Sequence, residues 1–462
     1  MKNSHMKTLT ALVTTTKTKS QMKKALLFVI VILSLPMLGN AQAQEKLNLA
    51  KQNLQKYYQQ KDVNTLVTAR NLINTACNSP QFKQNPDALI TKGNIYLELA
   101  SITSLKLYNN QKMPEVNSET LNYALLCFMT FHEADKFATK KADKSLIIKR
   151  IQDLEHILSI YSILLYKAEY YSKAFFHYYA ALGVYKMLRN KGESSILNDT
   201  KKLSDHYLLT AVSGYYGKED KAVKPVFKEM IRLGFDDNPF VYEGLYNILV
   251  AEGNTEAEKY LSMGSAKFPN HNGLLFKEIN HYLKEGKLEK TLEKLEIARK
   301  REPNNISVWV TIGQVNDEFN KQFRKAGKTE MANKYFDEAA HYFQQSIQKD
   351  STNFDALYSL GALYYNRAAS MTDEVNKWAN DLSAEGIKIY EQLELEMMGY
   401  YLEALPFFEK ALDLKPGDRN TLIALNEIFS NEDKLHNAII RKAFEELGQK
   451  KKETNENINA GQ

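Results

Sequence analysis

The chain has 462 residues, 44% hydrophobic and 25% charged, with only 20 Gly and 10 Pro. That length suits several domains or one elongated array, and so few turn-formers exclude a low-complexity chain and argue against an all-β one. Six of the 61 basic residues lie in residues 1–43, which hold no Asp or Glu, so the remainder balances at 55 of each sign and has no net field to steer it toward nucleic acid.

From the N-terminus, Lys23-Lys24 precede an 11-residue apolar stretch, Ala25–Leu35, followed by Pro36 and by Ala41-Gln42-Ala43. A basic start, an apolar middle and a small-x-small end are the parts of a secretory signal peptide. Cleavage after Ala43, or after Ala41, predicts an exported protein of the periplasm or cell surface. The stretch falls short of the ~20 residues of a membrane span. No later run reaches that length, so no transmembrane segment is expected once the leader is removed. Met22 is a second possible start. No Cys near the cleavage site argues against a lipid anchor. Cys77 and Cys127 form no CxxC, so zinc and redox chemistry lack their usual spacing; whether the two pair is left open.

Residues 44–80 read as a divergent helical pair. Gly93 to Tyr96 and Ala124 to Phe128 read as halves of a hairpin around a loop at Asn109–Pro114, and residues 169–182 as the second helix of another. A phase of 34 residues is firm from about residue 205. Tyr207, Ala211, Gly214, Val223, Phe227, Met230 and Phe235 are followed by Val241, Leu245, Ile248, Ala257, Leu261, Gly264 and Pro269. Leu275, Ile279, Tyr282, Thr291, Leu295, Ala298 and Pro303 come next. Trp309 and Gly313 keep the phase. Ala339, Phe343, Ser346 and Ser351 then arrive 14 residues late, and the unit running from Leu357, Gly361 and Tyr364 to Ala404, Phe408, Ala411 and Pro416 carries 31 more.

This pattern of large, small and aromatic residues, then Ala, aromatic, Ala and Pro, resembles the tetratricopeptide repeat (TPR) over roughly residues 86–440. With its leader and long insertions it is similar to exported TPR proteins of the Bacteroidetes. The resemblance implies an all-α solenoid of helical hairpins wound as a right-handed superhelix. The leader and signal peptide take 1–43 and divergent TPR-like repeats 44–200. A regular array with a capping helix (Lys434 to Leu447) takes 201–440, and a polar tail expected to lack order takes 441–462. Small side chains at Gly313, Gly361, Ala298 and Ala411 allow close helix crossings, with Trp309, Phe343 and Phe408 filling the space beside them. One hairpin cannot bury its apolar face alone, so several must stack.

No HExxH, GxGxxG, GxxxxGK[ST] or GxSxG occurs, and the histidines are scattered. The sequence therefore predicts no enzyme, no metal and no cofactor. Glu394 and Glu396, and the run Lys450–Lys452, read as solvated charge. The 27 tyrosines include many pairs, in which one ring can fill a repeat position and its neighbour faces elsewhere. First helices of a TPR stack line its concave face. The expected inward positions are Tyr242 and Tyr246, Asn280 with Lys284 beside it, Gln314 and Asp317, and Tyr358 and Tyr365. Such a groove implies a protein–protein scaffold of the cell envelope that holds a polypeptide segment with weak salt dependence. The alternatives are an outer-membrane-associated glycan- or nutrient-binding component, and tyrosines that only pack.

Overall fold

A computed structural model of the chain describes residues 41–109, 120 and 122–430. Residues 1–40 of the expected leader, most of the expected loop at Asn109–Pro114, the expected capping helix and the polar tail lie outside them.

Among the described residues no strand occurs, and the helices fall into two contact units, one through Ala257 and one from Glu258. The first unit holds α1 (41–60), α2 (Val63–Cys77), α3 (Pro86–Asn109), α4 (Tyr123–Phe137) and α5 (Lys141–Lys167). It continues with α6 (Tyr171–Asn190), α7 (Thr200–Tyr216), α8 (Asp220–Leu233) and α9 (Phe240–Ala251). The second holds α10 (Ala257–Lys267, from the boundary onward), α11 (Asn272–Lys284), α12 (Leu288–Arg301), α13 (Ile306–Lys325) and α14 (Thr329–Lys349). It ends with α15 (Phe354–Ala369), α16 (Thr372–Trp378), α17 (Ala384–Leu414) and α18 (Arg419–Phe429). The change of repeat regularity near residue 200 is not where packing divides, because α6 packs on α7 across it.

Local chemistry starts and stops these helices. The side chains of Asp199, Asn353 and Asp418 accept backbone N–H groups at the starts of α7, α15 and α18, satisfying donors a helix leaves orphaned. Gly234, at φ +73°, closes α8 in the left-handed conformation that glycine tolerates. Pro269, Pro303, Ser351 and Pro416 each fall just past the end of a second helix.

Packing explains the repeat. A Cβ placed on Gly93, Gly313 or Gly361 would stand 2.6, 2.5 or 3.0 Å from a ring carbon of Phe131, Phe343 or Phe408 on the partner helix. Glycine therefore sets how closely these three hairpins cross. Ala298 and Ala411 are buried as expected. The 14-residue insertion is two longer helices: α13 and α14 each exceed α11 and α12 by 7 residues. The second insertion supplies α16 and the 31-residue α17, which packs on both α15 and α16. Trp309 departs from expectation. Its indole N–H donates to the Pro303 carbonyl at 3.0 Å, and its ring lies against the cations of Arg299 and Lys349, 5.2 and 4.9 Å away. It is a half-exposed cation–π platform rather than core.

In the first unit Leu47, Ile73, Ile95, Phe131 and Tyr161 are buried in one cluster. Cys77 and Cys127 are both free and buried. Burial pushes both thiols up, and Cys127 donates to the Gly93 carbonyl at 3.5 Å, so both act as small apolar side chains. No described helix is long and apolar enough to cross a membrane.

Candidate functional site

The first helices of the second unit, α11, α13 and α15, align on Ile279, Gly313 and Gly361. Counted from these, the positions six and two before and one and five after remain exposed or half-exposed in all three helices. They are Gly273, Lys277, Asn280 and Lys284; Ser307, Thr311, Gln314 and Glu318; Asp355, Ser359, Ala362 and Asn366. At ~100° per residue these four positions fall within one sector of the helix. The stripe is polar, amide-bearing and of mixed charge.

Of the residues expected to face a ligand, Asn280, Lys284 and Gln314 belong to this stripe and are exposed. Tyr242 and Tyr246 do not; both are buried, at 3% and 8% exposure, and the Tyr242 hydroxyl donates to Asp236. The phenol of Tyr242 is held well above its usual range by burial and by that carboxylate. Asp317 is mostly covered, accepting from Asn320 at 3.1 Å and pairing with Lys321 at 2.7 Å. Tyr358 lies against Phe354 and Phe408, with ring centroids 5.9 and 5.8 Å away. Tyr365 lies against Tyr401 and Phe408 and donates to Glu427, tying α15 to α18. These two tyrosines are half-buried packing residues. The expected face was rotated toward the core: positions three before and four after the small residue sit ~40–60° from it, against ~100–160° for the open stripe. Lys277, Thr311, Glu318 and Asn366 were missed for that reason. Their polarity at the same register in three repeats was the available signal.

Two buried histidines are held by structural partners. His177 stacks on Tyr161 with centroids 5.2 Å apart and contacts the Lys173 carbonyl at 2.8 Å. His206 contacts the Tyr178 carbonyl at 2.9 Å, and burial lowers its pKa, partly offset by that bond.

One cluster escaped the sequence reading because its members come from two repeats. Ligating atoms of Glu258, His281 and Glu285 lie within 4.8 Å of one another. His281 and Glu285 are four apart at the end of α11, and Glu258 comes from α10. The Lys287 ammonium bridges the carboxylates of Glu258 and Glu285 at 2.9 and 2.8 Å, and Lys290 stands 3.6 Å from Glu258. Lys287 lowers both carboxyl pKa values and is itself raised, by Glu285 and then Glu258. A lysine ammonium thus already neutralises both carboxylates, which makes this an ion-pair knot between repeats.

No protein-family model matches the chain, and no curated protein sequence does. Among solved structures it is similar to a TPR repeats protein from Bacteroides fragilis, at 15% identity over 49% of this chain and 98% of that one, TM-score 0.32. It is also similar to YrrB, a TPR protein with an unusual peptide-binding site, at 14% identity over 63% and 100%, TM-score 0.24. A human IFIT1 dimer with m7Gppp-AAAA aligns at 16% identity over 75% and 87%, TM-score 0.27. Among the described residues the chain is an all-α protein of repeated helical hairpins.

Proposed function

We propose that the chain is an exported interaction scaffold that holds a polypeptide segment along the open faces of its first helices. The observation that carries this reading is the polar stripe: the same four positions stay open in α11, α13 and α15, while the residues around them pack. A surface of Asn280, Gln314 and Asn366 amides with interspersed Lys and Glu suits backbone hydrogen bonding to an extended or helical partner. Export rests on the sequence of residues 22–43. Cleavage after Ala43 would remove the first buried residue of α1, Ala43, and keep Leu47, Ala50, Leu54 and Tyr57.

The test is capture from a cell-envelope extract with the chain from Gln44, beside a variant carrying Lys277→Glu, Gln314→Glu and Asn366→Glu. The partner is retained by the first and lost by the second, with unchanged circular dichroism and melting temperature. A partner held equally by both would sink the proposal.

A further inference from the structure

A cleft of about 260 Å³ opens between the ends of α13 and α15, in the part of α13 that lengthens it beyond its counterpart α11. Lys321, Arg324 and Lys325 come to it from α13, Asn366 and Arg367 from α15. Two carboxylates touch these cations: Asp317 pairs with Lys321 at 2.7 Å, and Glu396 stands 3.7 Å from Arg367. Arg324 and Lys325 have no carboxylate partner among the described residues. Only the Nη2 atom of Arg324 meets protein acceptors there, donating to the side-chain oxygens of Asn320 and Asn333 at 3.2 and 3.1 Å. Those bonds aim a planar donor group whose remaining N–H groups are open to a ligand. Arg367 is steadied by Tyr400, whose ring centre lies 5.4 Å from its guanidinium carbon.

Basic side chains in a last helical turn are ordinary, since they complement the helix dipole. Convergence of two guanidiniums from two helices is not, because it stores repulsion. Burial and then the charge of Arg367 lower the Arg324 pKa, the sign of a cation placed where it costs energy until an anion arrives.

We infer that this cleft is an oxyanion-binding site fitted to a doubly charged group of phosphate or sulfate type. Its two uncompensated cations match the charge, the guanidinium of Arg324 offers paired donors to oxygen atoms, and the amide of Asn366 adds a polar wall. The site adjoins the polar stripe at Asn366 but stands apart from the docking proposal, because its binding is measured with no partner present.

The chain from Gln44 is titrated calorimetrically with inorganic phosphate and, in parallel, with O-phosphoserine. Melting temperature is followed in millimolar sulfate against chloride of equal ionic strength. Saturable binding is expected, with a higher melting temperature in sulfate. Arg324→Gln and Lys325→Gln each weaken binding about tenfold, as loss of one charge-assisted contact implies, whereas Lys410→Gln on α17 changes nothing. Lys325 has no structural partner among the described residues, so its variant separates binding from folding. Tighter binding of O-phosphoserine assigns the site to a phosphorylated segment, and tighter binding of the free ion to a free oxyanion. No saturable binding, or binding undiminished in the Arg324→Gln/Lys325→Gln double variant, overturns the inference.

Discussion

Gly313 and Gly399 lie in helices of the same unit and differ in one respect. A Cβ at Gly313 would meet the Phe343 ring at 2.5 Å, whereas at Gly399 nothing stands within 4 Å. Gly313→Ala should therefore overpack the crossing and cost roughly 1–3 kcal/mol. Gly399→Ala should gain up to ~1 kcal/mol, because alanine loses less backbone freedom on folding. Urea melts of the two variants decide it, and changes of equal sign would contradict the seating of glycine on ring. His206 makes a second residue-scale prediction. Burial depresses its pKa below the ordinary 6.5, so as pH falls through that value the unfolded chain takes up a proton before the native one does. The stability carried by neutral His206 is thus complete above about 6.5 and is lost as pH falls toward the depressed native value. His206→Gln should flatten the fall of the urea midpoint over that window, and parallel slopes for both proteins would refute it. The Glu258 and Glu285 carboxyls, held below their ordinary 4.5 by Lys287, lose their contribution only at lower pH, so the two effects separate.

At the level of the helix, burial separates the packing tyrosines from the open stripe. Tyr358→Ala and Tyr365→Ala each remove a half-buried ring from the α15–α17 contact and should cost roughly 2 kcal/mol. Gln314→Ala, on the exposed sector, should stay within ~0.5 kcal/mol of the parent. Denaturant unfolding checks both, and a costly Gln314→Ala beside a neutral Tyr365→Ala would restore the inward tyrosines. The hairpins themselves were legible because small residues such as Gly313 and Gly361, and the aromatic residues Phe343 and Phe408, keep their place in the residue pattern even where insertions delay the phase. The insertions were legible as delays in that phase. The open face was not: periodicity says which residues share a side, but not how that side is turned. The turn depends on α17 and α18, which cover Tyr358 and Tyr365 from the far side of an insertion. Trp309 was misplaced for a similar reason, since Arg299 and Lys349 reach it from other helices.

For the whole molecule, the feature that bears on function lies in the second unit, where three successive first helices, α11, α13 and α15, leave one polar sector open. N-terminal sequencing of exported material should begin at Gln44, and recovery of the chain with Met1 intact in the cytosol would remove the extracytoplasmic reading. Whether a partner segment lies along the polar stripe is decided by site-specific photo-crosslinking. A photoreactive amino acid is placed singly at Asn280, Gln314 and Asn366, and at the exposed second-helix positions Lys300 and Lys410. One common crosslinked polypeptide is expected from the three stripe positions and none from the other two. Crosslinking from Lys300 and Lys410 with equal yield, or from them alone, would contradict it.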